Sequence, residues 1–170
     1  MARVLFLIDF LLVLSLLPKP FMLFGPAYKG VPLVSVLSSS LFVNHEKDVS
    51  FVYNRKEKKE HGEGGQIVGA SLAGKILIVD DVITAGTAIK EASKMIIEAG
   101  AEISGILIAL DRQEKGAGDS SAVQEVSQEL GVPVISIANL DQILTYVKNS
   151  PSEFGDYVNR IEDYREKYGA

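Results

Sequence analysis

Asp80 and Asp81, followed by Thr84-Ala85-Gly86-Thr87, put two carboxylates, two hydroxyls and a glycine within eight positions. Ahead of them, Lys75-Ile-Leu-Ile-Val79 carries a short β-branched run, as expected of a strand buried on both faces of a parallel sheet. Asp80 and Asp81 then fall at the carboxyl edge, where open α/β sheets bind ligands. After Gly86, which is free to take a positive φ, a helix opens near Thr87. Its unpaired N–H groups and dipole favour a phosphate. Two acceptor carboxylates suit the two hydroxyls of a ribose, or a magnesium ion through water. A ribose 5-phosphate satisfies both halves.

An isolated Asp-Asp pair that merely caps a loop is the plainer alternative, but it does not account for the strand, carboxylate, hydroxyl and helix order. The loop lacks the Gly-Lys-Ser/Thr of a Walker A sequence and the Gly-x-Gly-x-x-Gly of a dinucleotide turn. Val79-Asp-Asp-Val-Ile-Thr-Ala-Gly-Thr87 resembles the phosphoribosyl pyrophosphate (PRPP) motif of type I phosphoribosyltransferases. The resemblance implies that Asp80, Asp81, Val82, Ile83, Thr84, Ala85, Gly86, Thr87 and Ala88 bind PRPP. Asp80 and Asp81 would hold the ribose hydroxyls, directly or through hydrated Mg2+, with no direct metal ligand from the protein.

The stretch Arg55-Lys-Glu-Lys-Lys-Glu-His-Gly-Glu-Gly-Gly65 places four basic residues in five positions, then a histidine and three glycines. By itself a charge run of this kind reads as a solvated hairpin. Beside a PRPP site it gains a task, because the departing pyrophosphate accumulates negative charge that mobile cations would stabilise while excluding water. The pattern resembles the flexible catalytic loop of the orotate phosphoribosyltransferase family. That likeness implies that Arg55, Lys56, Lys59 and His61 act on the pyrophosphate, with Arg55, Lys59, His61, Asp80 and Asp81 forming the catalytic set.

Phe24-Gly-Pro-Ala-Tyr-Lys-Gly30 is on its own a turn signal. In context it resembles the family's pyrophosphate loop, with Tyr28 and Lys29 at the matching positions. Ile106-Leu-Ile-Ala-Leu-Asp-Arg-Gln-Glu114 ends another buried-strand pattern in charge at the same sheet edge. Arg112 is open to two readings, a structural salt bridge or a partner for the carboxylate that orotate carries and uracil lacks. The resemblance assigns Arg112 and Thr84 to the orotate pocket.

These pieces require a scaffold. The chain has 170 residues, 47% hydrophobic, enough for one domain with a core. Cysteine is absent, which excludes disulfides and thiol chemistry. Asp plus Glu number 22 against 17 Lys plus Arg, and the net charge of −5 argues against a nucleic-acid surface. Strands are expected near 21–24, 49–54, 76–80, 103–110 and 132–137, and helices at 31–41, 87–99, 121–130 and 140–148. Alternation of this kind predicts an α/β fold of type I phosphoribosyltransferase form, a largely parallel five-stranded sheet with helices on both faces. A last helix opens at Ser150-Pro-Ser-Glu153 with capping-box spacing and carries Phe154, Tyr157, Ile161, Tyr164 and Tyr168 on one face, a pattern for packing rather than base stacking.

Two units follow, an atypical apolar segment at 1–22 and a phosphoribosyltransferase domain at 23–170. In the first, the 14 positions from Val4 to Leu17 are apolar except Asp9 and Ser15. That is short of the roughly 20 residues a spanning helix needs. A signal-like segment, a folded replacement and a truncated or mis-started product are the three readings. The family's N-terminal hood is expected to be missing or altered. The resemblance, fungal-like in flavour, implies transfer of phosphoribose from PRPP to orotate, giving orotidine 5′-monophosphate and pyrophosphate in pyrimidine (UMP) biosynthesis. It further implies a cytoplasmic, Mg2+-dependent glycosyltransferase acting as a homodimer with shared sites and no membrane partner. A transferase for another base and a non-catalytic PRPP-binding chain in mixed dimers are the competing readings.

Overall fold

The computed structural model describes residues 22–59 and 65–170. Within them the order is β1 (Met22–Gly25), α1 (Gly30–His45), β2 (Phe51–Lys59), β3 (Gly65–Gly69), β4 (Lys75–Asp80), α2 (Thr87–Glu98), β5 (Glu102–Asp111), α3 (Ala122–Leu130), β6 (Val134–Asn139), α4 (Leu140–Lys148) and α5 (Pro151–Tyr168). The strands form one sheet in the order β3-β2-β1-β4-β5-β6. All neighbours are parallel except β2 and β3.

The expected parallel α/β fold is present, with six strands where five were expected. The extra strand is β3, an edge strand paired antiparallel to β2, with Val52 opposite Gly69 and Asn54 opposite Ile67. Its flanking glycines weaken any local strand signal, and only pairing with a distant segment gives it an extended form. For the same reason β2 does not end at Asn54. It continues through Arg55 and Lys56 to Lys59, so the basic run begins as the arm of a hairpin.

Side-chain alternation divides the core into two layers. Ile76, Ile78, Ile106 and Ile108 point to the face covered by Ile89, Ala92 and Ile96 of α2 and Ala122 and Val126 of α3. Leu77, Val79 and Leu107 point to the opposite face, against Val34 and Leu41 of α1. The period of two along β4 and β5 thus serves helices on both sides.

The helix stops behave as expected: Gly100 and Gly131 take left-handed φ of 77° and 65° just past α2 and α3. The capping box expected at Ser150 is absent. Ser150 has φ −127° and ψ 54° with no side-chain cap bond, and its carbonyl accepts from Glu153 and Phe154 N–H instead. Full capping boxes stand at Ser121/Gln124 and Asn139/Gln142. The stripe on α5 does pack, against α4, where Tyr146 and Phe154 rings lie 5.9 Å apart. None of its residues is fully buried.

Met22 opens β1, and the expectations for residues 1–21 lie outside the described residues. Among those described, no helix is long and apolar enough to cross a membrane. Ile78 is fully buried between β1, β5 and α2. Ile78→Ala should lower unfolding free energy by about 2–5 kcal/mol in urea titration. A loss under about 1 kcal/mol would contradict the packing described.

Candidate active site

Strands β1 and β4 are neighbours whose connections diverge, β1 leading through α1 to β2 and β4 leading through α2 to β5. This is the topological switch point, and it leaves a crevice between the two carboxyl ends. A cavity of about 370 Å³ lies there, lined by Ala27, Tyr28 and Lys29 from one loop and by the run from Asp80 to Ile89 from the other. Every residue from Val82 to Ala88 singled out in the sequence therefore lines one cavity with Asp80 and Asp81.

Two glycines let the first loop come this close. A Cβ on Gly25 would stand 2.5 Å from the Gly30 carbonyl oxygen, and one on Gly30 would stand 2.8 Å from the Val79 oxygen. Neither position tolerates a side chain without backbone movement. Buried Asn54 on β2 accepts the Ala27 N–H at 2.8 Å, and the Ala27–Tyr28 peptide is cis. Tyr28 itself is exposed, with the Lys56 ammonium 5.7 Å from its ring centroid. The β2 arm is thereby brought to the Tyr28–Lys29 loop.

The second loop ends at Gly86, with φ 69° and the Val126 side chain only 2.7 Å from where a Cβ would be. Helix α2 starts next, without a side-chain cap. Its first N–H groups have no side-chain cap acceptor, and Thr87, Ala88 and Ile89 of this turn line the cavity.

The two carboxylates differ. Burial raises Asp80 to about 6, only partly opposed by the Asp81 N–H it accepts at 2.9 Å, and the Asp81 charge adds to the rise. For Asp81, burial also disfavours charge, but the Lys29 hydrogen bond at 2.7 Å, the Val82 N–H and the Lys29 charge outweigh it and hold this carboxyl below its usual value. The Lys29 side chain is 75% exposed, so this pair is weak and exchangeable. A ligand can take each partner separately.

Arg112 reaches across from the end of β5. Its Nη2 donates to Thr84 Oγ1 at 2.7 Å and pairs with Glu114 Oε2 at 2.9 Å. The two residues that the resemblance assigns to the base pocket are thus in contact, and Arg112 forms the salt bridge of its other reading. Arg55 lies on β2 and Lys59 is its last residue, while His61 lies outside the described residues. Among the described residues, no group of three or more His, Cys, Asp or Glu side chains could hold a metal ion. A donor set of one buried carboxylate and one paired with lysine fits Mg2+ carried mainly by a ligand's phosphates and touched through water.

Because folding raises the Asp80 pKa from 3.8 to about 6, the folded state binds more protons than the unfolded state between these values. Its contribution to stability is full below pH ~4 and is lost as pH rises through ~6. Asp80→Asn should remove this fall, read as the difference between wild-type and variant urea midpoints from pH 4 to 7. Parallel midpoints across that window would contradict the burial effect.

A family model described as Phosphoribosyl transferase domain matches residues 12–138, starting inside the segment 1–22. The orotate phosphoribosyltransferase of Marinobacter nauticus is 57% identical over 147 residues, covering 86% of this chain and 68% of that protein. That of Pseudomonas aeruginosa is 50% identical with the same coverage, 86% and 68%. Both relatives are bacterial, whereas the motif likeness has a fungal-like flavour. The crystal structure of Francisella tularensis orotate phosphoribosyltransferase superposes with a TM-score of 0.77 at 36% identity, covering 99% of this chain and 78% of that one. Adenine phosphoribosyltransferase from Leishmania tarentolae, 17% identical with a TM-score of 0.55 over 82% of this chain and 70% of its own, shares the fold alone. The fold therefore does not select the base, but the identities over most of both chains do place this one: it belongs to the orotate phosphoribosyltransferase family.

Proposed function

We propose that this chain transfers the 5-phosphoribosyl group of PRPP to orotate, giving orotidine 5′-monophosphate and pyrophosphate in pyrimidine biosynthesis. The observation that carries the proposal is the single cavity where Asp80, Asp81, the uncapped start of α2 and the Tyr28–Lys29 loop meet. Residues Thr84 to Ala88 hold the 5-phosphate through backbone N–H groups, hydroxyls and the helix dipole. Asp80 and Asp81 accept the ribose hydroxyls and stabilise positive charge at the ring carbon as its bond to pyrophosphate breaks. Asp80 and Asp81 would hold a PRPP-bound Mg2+ through water, and the ion would supply further neutralisation of the phosphate charge.

Lys29 leaves Asp81 to meet the pyrophosphate when the ribose hydroxyls take its place. Tyr28 lines the same wall. Arg55, Lys56 and Lys59 of β2, together with His61, gather over the leaving group and keep water from the ribosyl cation. Thr84 and Arg112 read the base, the guanidinium pairing with the orotate carboxylate. The enzyme works as a cytoplasmic homodimer in which the hairpin serves the neighbouring subunit.

Pyrophosphate release should occur with orotate and not with uracil, hypoxanthine or adenine when the protein is supplied with PRPP and magnesium. Release with another base overturns the base assignment, and silence with all four favours a non-catalytic PRPP-binding chain. Lys59→Ala should lower kcat by about 100-fold or more while PRPP affinity changes little, since the charge it meets develops in the transition state. Unchanged kcat would remove Lys59 from the catalytic set.

A further inference from the structure

Arg112 is held from behind. One oxygen of Glu114 pairs with its Nη2, and the other accepts the Tyr164 hydroxyl from α5. Glu114 is half-buried, its side chain 14% exposed, so an oxygen without a partner is costly. The backbone beside it is fixed as well. Lys115 N–H donates to the Tyr168 carbonyl at 2.8 Å and Ala170 N–H to the Gln113 carbonyl at 3.0 Å, with Glu114 bridged to Gly169. Gln113 exchanges two further bonds with Asp141 at the start of α4, and Asp141 pairs with Arg165 of α5 at 2.7 Å.

We infer that Tyr164 is a positioning residue for the base pocket, acting through Glu114 to hold the Arg112 guanidinium against Thr84. The inference rests on the reading in which Arg112 and Thr84 face the orotate carboxylate. An arginine loses much rotamer freedom when fixed in one pose. Here it does so although its Nε is buried with no hydrogen-bond partner among the described residues, which by itself would favour another pose. Glu114 offsets that cost only if its own carboxylate is oriented. Tyr164 orients it, because a hydroxyl donated to Oε1 turns Oε2 to Arg112. The order Tyr164, Glu114, Arg112, Thr84 thus runs from the C-terminal helix to the loop that begins the phosphate site.

Tyr164→Phe keeps the ring and its contact with Tyr168, whose centroid is 4.9 Å away, and removes only the hydroxyl. The orotate KM should rise roughly tenfold, the size expected for losing a hydrogen bond to a charged group. The PRPP KM should stay unchanged, the melting temperature should fall only slightly, and in an Arg112→Gln background the second substitution should add nothing to the orotate KM. Equal rises in both KM values, a fall in melting temperature that accounts for the effect, or full additivity with Arg112→Gln would overturn the relay. If Arg112→Gln itself leaves the orotate KM unchanged, the base-pocket reading falls and this inference with it. If Arg112→Gln raises the KM and Tyr164→Phe does not, only the relay is lost.

Discussion

The close approach of the Gly25–Gly30 loop to the end of β4 is the constraint on which the site depends, because it brings two loops of opposite chemistry within reach of one small ligand. A Cβ at Gly30 would meet the Val79 carbonyl oxygen at 2.8 Å, so the loop lies directly on the strand that ends in Asp80. Parallel pairing of β1 with β4 sets this contact, Leu23 opposite Leu77 and Phe24 opposite Ile78. The buried layers on either face of that pair hold the register. Core packing and ligand geometry are therefore linked through one pair of strands.

Charge is arranged around the same point. A buried carboxylate at Asp80, an ionised one at Asp81 and an exposed lysine that bridges to it form a set whose partners exchange at small cost. The start of α2 contributes positive potential without any titratable group. Capping boxes stand at the starts of α3 and α4, while α1, α2 and α5 have no side-chain cap. What sets α2 apart is that Thr87, Ala88 and Ile89 of its first turn line the cavity shared with Asp80 and Asp81.

Much of this is legible in the residues because it is local. The β4 strand, the carboxylates, the glycine turn and the helix after it are consecutive, and each element is specified by its own side chains. Gly100 and Gly131 ended helices where expected for the same reason. What escaped was non-local. The reach of β2 to Lys59 and the existence of β3 depend on pairing between segments separated in the chain, and glycine at both ends of β3 hides its strand character. Ser150 has the spacing of a capping box but not the backbone angles. Tyr164 read as one of a packing stripe, since its contact with Glu114 spans 50 residues of chain. At the end of β5, Arg112 was the residue whose type suggested a binding role.

The measurement that tests the central claim most directly is an amide NMR titration of the protein with PRPP and magnesium. Saturable shifts should appear together at Tyr28 and Lys29, at Asp80 and Asp81, and from Thr84 to Ala88, all with one dissociation constant. Shifts confined to one loop, or two loops titrating with different constants, would contradict a single PRPP site at the β1–β4 switch point.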